Sequence, residues 1–150
     1  MPRLRVLFLC TGNSCRSQMA EGWARALKSD CIEPFSAGVD PHGLDPRAVQ
    51  VMAEGGVDIS AQRSKYVREF LDKPLDWVVT VCDHANETCP VFPGRVRRAH
   101  AGFDDPARLA RGARSPEEAL AHYRRVRDQI RYFVQALPDV LTKHRSGETA

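Results

Sequence analysis

Short apolar runs alternate along this chain with segments whose apolar residues recur every three or four positions. The short runs are typical of buried strands, whereas the longer spacing is typical of amphipathic helices. The predicted strands span residues 3–10, 31–39, 76–82 and, as a less regular candidate, 95–103. The predicted helices span residues 17–30, 46–54 and 115–137. This alternation predicts an α/β fold in which helices cover both faces of a parallel sheet.

The last predicted helix has a clear beginning. Ser115 and Glu118 form the pattern of a capping box, and Pro116 suits the first helical position.

With 150 residues, of which 43% are hydrophobic and 27% charged, the chain is predicted to form one domain spanning residues 1–150. Within it, residues from about 139 to 150 are expected to form a frayed tail.

The charge and the apolar content of the chain argue against a nucleic-acid-binding protein, a secreted protein and a membrane protein. The 22 Lys and Arg residues nearly balance the 19 Asp and Glu residues, for a formal net charge of +3, which argues against a nucleic-acid partner. The apolar run VLFLC is too short for a signal peptide or a membrane span, so we expect a cytoplasmic protein with no membrane partner. Structural disulfides would not persist in a reducing compartment, so each of the five cysteines is expected to be either a core residue or a residue that takes part in a reaction.

The stretch CTGNSCRS, residues 10–17, joins the first strand to the first helix. Loops at the carboxyl ends of parallel strands form ligand sites. Gly12 permits tight curvature, so inward-pointing N–H groups and the helix N-terminus can bind a tetrahedral oxyanion. Arg16 can add a two-pronged hydrogen bond, and the same N–H groups are expected to lower the pKa of Cys10. The alternative is a buried cysteine with a surface arginine nearby, but the whole spacing favours an oxyanion loop.

The Cys-x5-Arg-Ser pattern is similar to that of the low-molecular-weight tyrosine phosphatases. The strings LCTGNSCRSQMAEG, FSAGVDPHGLDPRAV, VVTVCDHANETCPVFPG and GFDDPA resemble, more closely, their thioredoxin-coupled arsenate reductase relatives. The resemblance extends to about residue 137 and implies a four-stranded parallel sheet flanked by helices. In the loop, Ser17 is expected to donate a hydrogen bond to Cys10, and Asn13 to adopt a left-handed backbone. The implied oxyanion-binding residues are Thr11, Gly12, Asn13, Ser14, Cys15, Arg16 and Ser17.

Cys82 and Cys89 form a second motif around the polar stretch DHANET. If this stretch is a short helix, the two residues lie about 10.5 Å apart along its axis, at roughly 1.5 Å per residue. A disulfide needs Cα atoms within about 7 Å, so bridging them requires the helix to unwind. We therefore predict a segment that is helical when the thiols are reduced and looped out when they are oxidised. A reductase can use this pair as a source of electrons, whereas a phosphatase has no use for it. There are two weaker alternatives: a zinc site formed by Cys82, His84 and Cys89, and two cysteines with no shared role.

Asp105 belongs to the third motif, Asp104-Asp105-Pro106. The resemblance assigns to Asp105 the role of a general acid, which protonates the oxygen that leaves when Cys10 attacks. The alternative is a plain turn with helix-capping character. Phosphatases of the family usually continue with an aromatic residue that lines a phosphotyrosine cleft. This chain has Ala107 there, which favours a small inorganic substrate.

The resemblance implies a complete reaction. Cys10 attacks arsenate held by the loop and Arg16, Cys82 attacks Cys10 and releases arsenite, and Cys89 attacks Cys82 to form a disulfide that thioredoxin reduces. Phosphate should compete with arsenate, and the protein should act as a monomer without a cofactor or metal. The alternatives are a phosphatase of the same fold and a non-enzymatic oxyanion-binding or redox-sensing protein.

One segment departs from the family. Some relatives hold a potassium ion beside the loop, with oxygens from positions that match Asn13, Glu21, Ser36 and two residues after Ile59. The latter two are the cationic Arg63 and Lys65 in this chain. Because a cationic side chain repels a bound cation, we predict that one of them replaces the ion and pairs with Glu21.

Overall fold

The computed structural model describes residues 2–141, in which a single sheet is surrounded by helices. The strands are β1 Leu4–Cys10, β2 Ile32–Gly38, β3 Trp77–Thr80 and β4 Arg97–His100. The helices are α1 Arg16–Leu27, α2 Pro46–Glu54, α3 Asp83–Thr88, α4 Pro106–Ala110 and α5 Pro116–Gln135, with a 3₁₀ turn at Val67–Phe70. No helix within residues 2–141 is long and apolar enough to cross a membrane.

The four strands are all parallel and lie in the order β2-β1-β3-β4. The predicted four-stranded parallel sheet is thereby confirmed. In the register of the sheet, Cys10 lies opposite Gly38, Leu9 opposite Thr80, and Thr80 opposite His100. The carboxyl ends of the strands therefore meet at one edge, where the segments that follow β1, β3 and β4 are brought together.

Helices cover both faces of the sheet, as predicted. The consecutive β1 residues from Val6 to Leu9 have no exposed surface. Because successive strand side chains point to opposite faces, neither face of β1 is open to solvent. Helix α1 packs against β1, β2 and α5, while α5 also contacts α2 and α4, and α3 contacts β1 and β3.

Several elements are shorter than the pattern predicted. β3 covers residues 77–80 and β4 covers residues 97–100. Helix α1 ends at Leu27, because the backbone of Lys28 departs from helical geometry with φ −130°, and the Lys28 carbonyl then accepts hydrogen bonds from the amides of Cys31 and Ile32. The short helix expected between Cys82 and Cys89 is present as α3, whereas α4 was not predicted.

Three helices begin with a capping side chain followed by proline. The side chains of Asp45, Asp105 and Ser115 each accept a hydrogen bond from an amide of the first turn. The predicted capping box is half right. Ser115 accepts from the amide of Glu118, but the Glu118 carboxylate accepts from the amide of Arg114 instead of that of Ser115.

The end of the described chain is packed. Leu137 and Leu141 are 2% and 1% exposed. The frayed tail expected from residue 139 is therefore wrong for residues 139–141, because Leu141 lies against the core. The rest of that expected tail, residues 142–150, lies outside the described residues. A single domain spanning residues 1–150 stays a prediction.

Candidate active site

The loop of residues 10–17, which we call the oxyanion loop, turns tightly at the end of β1. Asn13 has φ 47°, the left-handed backbone expected for it, and its amide donates to Cys10 Sγ at 3.2 Å. A Cβ atom on Gly38 would lie 2.6 Å from the Thr11 carbonyl oxygen and 2.8 Å from the Asn13 nitrogen. The end of β2 can approach the loop this closely only because residue 38 is glycine.

The side chain of Asn13 ties the oxyanion loop to its surroundings. Its Nδ2 donates to Ser17 Oγ at 2.7 Å, and its Oδ1 accepts from the Lys65 backbone amide at 2.8 Å and from Gln18 Nε2 at 3.1 Å. Ser17 Oγ lies 2.8 Å from Cys10 Sγ, which confirms the predicted hydrogen bond between them. A continuous chain of hydrogen bonds therefore links Lys65 to the Cys10 sulfur.

Burial controls the ionisation of Cys10. Desolvation raises the pKa of this thiol, whereas the hydrogen bonds to Ser17 and the charge of Arg16 lower it only in part. The expected lowered pKa is therefore wrong for the loop in this structure. The groups that favour a thiolate are present in the loop, but the Cys10 side chain is only 2% exposed and desolvation is the larger effect on its pKa.

Arg16 joins the oxyanion loop to the third motif. Its Nη1 donates to the Phe103 carbonyl at 3.0 Å, and its Nη2 lies 3.8 Å from Asp105 Oδ2. The other carboxylate oxygen of Asp105 accepts the hydrogen bond of Ala107 that caps α4. The cap and the ion pair together fix the Asp105 carboxyl group beside the loop. The plain-turn alternative for Asp105 accounts for the cap but not for the ion pair.

A second thiol touches the oxyanion loop. Cys82 Sγ lies 3.3 Å from Thr11 Oγ1, and it also accepts a hydrogen bond from the Ala85 amide at the start of α3. Cys82 is buried, whereas Cys89 at the other end of α3 is half-buried, and both are free thiols. Burial raises the pKa of Cys89. No group of three or more potential ligands within residues 2–141 could hold a metal ion, so the zinc alternative gains no support.

Two clefts open beside these residues. A cleft of about 220 Å³ is lined by Cys10, Thr11, Gly12, Ser14, Cys15, Arg16, His42, Asp105, Ala107 and Arg111. A larger one of about 690 Å³ adjoins it and contains Cys82. The smaller cleft suits a tetrahedral anion, with a thiol, a guanidinium and a carboxyl group on its walls. The side chains of Asn13 and Ser17 lie beneath the loop and brace it instead of lining this cleft.

The motifs brought together at this edge have close counterparts in known proteins. Residues 5–146 match the family described as low molecular weight phosphotyrosine protein phosphatase. Over 125 residues the chain is 51% identical to an arsenate reductase of Bacillus subtilis and 50% identical to one of Halalkalibacterium halodurans, which in each case covers 83% of this chain and 88% of the relative. The chain belongs to the arsenate reductases of this phosphatase family.

A solved structure supports the same relationship. An arsenate reductase in the phosphate binding state superimposes with a TM-score of 0.70 at 29% identity, covering 94% of this chain and 98% of that one. The fold expected from the family resemblance is therefore the observed one.

Beside the oxyanion loop, the arsenate reductase fold in this chain carries an ion pair between the buried Glu21 and the half-buried Lys65. Lys65 Nζ lies 3.6 Å from Glu21 Oε1, 2.7 Å from the Arg63 carbonyl and 3.4 Å from Ser36 Oγ. The predicted pairing with Glu21 is thus made by Lys65, whereas the side chain of Arg63 pairs with Glu69. The Lys65 ammonium lies among the oxygen atoms named as ion ligands, which favours the replacement of an ion by this side chain.

Two residues that contact the oxyanion loop, His42 and Gly38, were not predicted from the sequence to lie at the site. His42 lines the smaller cleft, and its Nε2 lies 3.3 Å from Asp40 Oδ2. Its Nδ1 would lie 2.7 Å from a Cβ atom on Gly12, so the ring packs against the oxyanion loop. Gly38 was also missed. Its place at the end of a predicted strand, beside the same sheet edge, was the available signal.

Proposed function

We propose that this chain reduces arsenate to arsenite through a relay of three thiols, Cys10, Cys82 and Cys89, and that thioredoxin restores the reduced form. The observation that carries the proposal is the position of Cys82, whose sulfur lies 3.3 Å from a side chain of the oxyanion loop. A phosphatase needs one nucleophilic thiol at this loop. A second thiol in contact with the loop and a third at the far end of α3 supply the electrons that reduction requires.

The first step forms a bond between sulfur and arsenic. Arsenate binds to the loop amides, and the guanidinium of Arg16 turns from the Phe103 carbonyl toward the anion. The proton of Cys10 passes to an arsenate oxygen, which offsets the burial that disfavours the free thiolate. The sulfur then attacks arsenic while Asp105 donates a proton to the arsenate oxygen that already carries a hydrogen, and the bond between arsenic and this oxygen breaks as it leaves as water.

The second step is the reduction itself. The Cys82 thiolate attacks the Cys10 sulfur, and the sulfur–arsenic bond breaks with its electron pair remaining on arsenic. Arsenic is thereby reduced from As(V) to As(III) and leaves as arsenite, while the two thiols are oxidised to a disulfide. The contact between Cys82 Sγ and Thr11 Oγ1 supports this step, because Thr11 directly follows Cys10 in the oxyanion loop.

The third step moves the disulfide away from the oxyanion loop. Cys89 attacks Cys82, Cys10 leaves as a thiolate, and the Cys82–Cys89 disulfide becomes the substrate for thioredoxin. Helix α3 separates these cysteines, so it must open before the bond can form. The half-buried position of Cys89 places this disulfide closer to solvent than one that includes the buried Cys10.

Selectivity for arsenate arises from chemistry more than from binding. Phosphate has nearly the same shape and charge, so it should occupy the same cleft and compete with arsenate. It does not accept electrons from the thiols, so it should be an inhibitor and not a substrate. A monomeric, cytoplasmic enzyme without a cofactor stays the expected form.

The test is consumption of NADPH with arsenate, thioredoxin and thioredoxin reductase, with glutathione and glutaredoxin as the second arm. Multiple turnovers with thioredoxin, inhibited by phosphate, are expected. Cys31→Ser is the matched control, because Cys31 lies at the opposite end of β2 from the site. Hydrolysis of p-nitrophenyl phosphate without arsenate-dependent consumption of NADPH would instead identify a phosphatase.

A further inference from the structure

Helix α3 is held to β4 by side-chain contacts. Arg98 Nη2 donates to the Asn86 backbone carbonyl at 2.9 Å and lies 3.4 Å from Asn86 Oδ1. Thr80 Oγ1 donates to the same Oδ1 at 3.3 Å, and His100 Nε2 lies 3.1 Å from Asp83 Oδ1. Side chains from β3 and β4 thus contact both halves of this helix.

A helix of six residues depends on such contacts. Isolated helices of this length are unstable in water, and their last four carbonyl groups have no partner inside the helix. Thr88 Oγ1 donates to the carbonyl of His84 at 2.8 Å, and Arg98 donates to that of Asn86. The guanidinium also places positive charge at the end of the helix where the carbonyl dipoles favour it. Arg98 therefore stabilises the end of α3 that leads into Cys89.

We propose that Arg98 is a positioning residue for the third thiol, because it ties the end of α3 to β4 and so determines where Cys89 lies and how readily the helix opens. This inference rests on the proposed three-thiol function. In that exchange a bond forms between Cys89 and Cys82 as the bond between Cys82 and Cys10 breaks. Cys10 leaves as a thiolate, the Cys89 proton goes to solvent, and the number of disulfides is unchanged. Opening α3 for this step requires the Arg98 contact to break.

The charge of Arg98 acts on Cys89 in addition to the hydrogen bond. Burial raises the pKa of the Cys89 thiol, and the positive charge of Arg98 acts in the opposite direction. Replacing Arg98 by methionine removes both the charge and the hydrogen bond to Asn86. Replacing it by lysine keeps the charge but loses the planar fork of donors that reaches the Asn86 carbonyl. The two variants therefore separate the two effects.

The test compares Arg98→Met and Arg98→Lys with the wild-type protein, in the reduced form and without arsenate. Arg95→Met is the matched control, since it removes another exposed arginine three positions before Arg98. Amide hydrogen exchange of residues 83–89, measured by mass spectrometry, should be several-fold faster than wild type in Arg98→Met. The increase should be smaller in Arg98→Lys and absent in Arg95→Met. The pH midpoint of Cys89 alkylation should move upward only in Arg98→Met.

The proposal requires both results. The proposal is overturned if the α3 amides of Arg98→Met exchange at the wild-type rate, or if the pH midpoint of Cys89 alkylation does not move. It is also overturned if exchange in Arg98→Met is faster by the same factor throughout the protein. Unchanged phosphate affinity in Arg98→Met would show that the oxyanion loop is intact. These measurements do not depend on turnover, so a wild-type protein that forms no Cys82–Cys89 disulfide would refute the three-thiol function separately.

Discussion

The oxyanion loop and α3 meet at the same edge of the sheet, but they are held there in different ways. The loop is braced from beneath by buried side chains, with Asn13 and Ser17 fully buried and Gly38 packed against its backbone. Helix α3 has a single buried residue, Ala85, and its side-chain bonds to the sheet come from the exposed Arg98 and the half-buried His100 of β4 and from Thr80 of β3. Anion binding requires fixed N–H groups, whereas moving a disulfide requires a segment that can open. The two regions match these two requirements.

The largest expected effect is a difference in local stability. In the reduced protein, amides of residues 83–89 should exchange with solvent at least about a hundredfold faster than those of β1, because segments with few buried contacts open without global unfolding. Hydrogen exchange measured by NMR resolves the two regions in one sample. Equal protection of α3 and β1 would contradict the contrast between an openable helix and a fixed loop.

Asp105→Asn tests the chemistry on the loop side. Asparagine caps helices as well as aspartate does, so α4 and the melting temperature should be preserved. The leaving oxygen loses its proton donor, so the rate of the first step should fall by about a hundredfold or more. Rapid-quench measurement of arsenite formed in a single turnover gives this rate. A rate within about twofold of wild type would leave Asp105 with only the capping role.

Gly38→Ala tests whether the loop is as tightly fixed as its contacts indicate. The new Cβ would lie 2.6 Å from the Thr11 carbonyl oxygen, so the loop or β2 must shift. We expect a loss of about 1–3 kcal/mol in the free energy of unfolding and weaker phosphate binding. Gly112→Ala is the control, because its Cβ would meet nothing nearer than 3.8 Å. Calorimetry and phosphate titration measure the two effects, and matching behaviour of the two variants would contradict a fixed loop.

The smallest expected effect concerns the cation beside the loop. Lys65 already supplies a positive charge 3.6 Å from Glu21, so a potassium ion has nothing to add. Activity should differ by less than about twofold between potassium and sodium buffers at equal ionic strength. Steady-state rates with arsenate in the two buffers measure this ratio. A several-fold gain that is specific to potassium would show that Lys65 does not replace the ion.

The sequence allowed prediction where local chemistry decides the structure. The strand–loop–helix around Cys10 could be predicted because glycine, small polar residues and arginine follow an apolar run within eight positions. The short helix between Cys82 and Cys89 and the pairing of a cation after Ile59 with Glu21 were also predicted. Each of these follows from the residue types in a short stretch, aided by the family resemblance.

The rest depends on distances between remote parts of the chain. His42 and Gly38 reach the oxyanion loop only because β2 lies beside β1, and Arg98 reaches α3 only because β4 lies beside β3. The pKa of Cys10 depends on desolvation by the whole fold, so the groups within its own loop gave the wrong direction. Helix α4 was missed because its five residues carry too little periodicity to distinguish a helix from a turn.

The most direct test of the three-thiol relay is a single turnover of Cys89→Ser with arsenate, followed by peptide mapping with free thiols blocked. Cys10, Arg16, Asp105 and Cys82 are untouched in this variant, so it should release about one arsenite per enzyme. It should then stop as a Cys10–Cys82 disulfide that thioredoxin does not reduce. Continued turnover of Cys89→Ser with thioredoxin, at the wild-type rate and without that trapped disulfide, would contradict the relay.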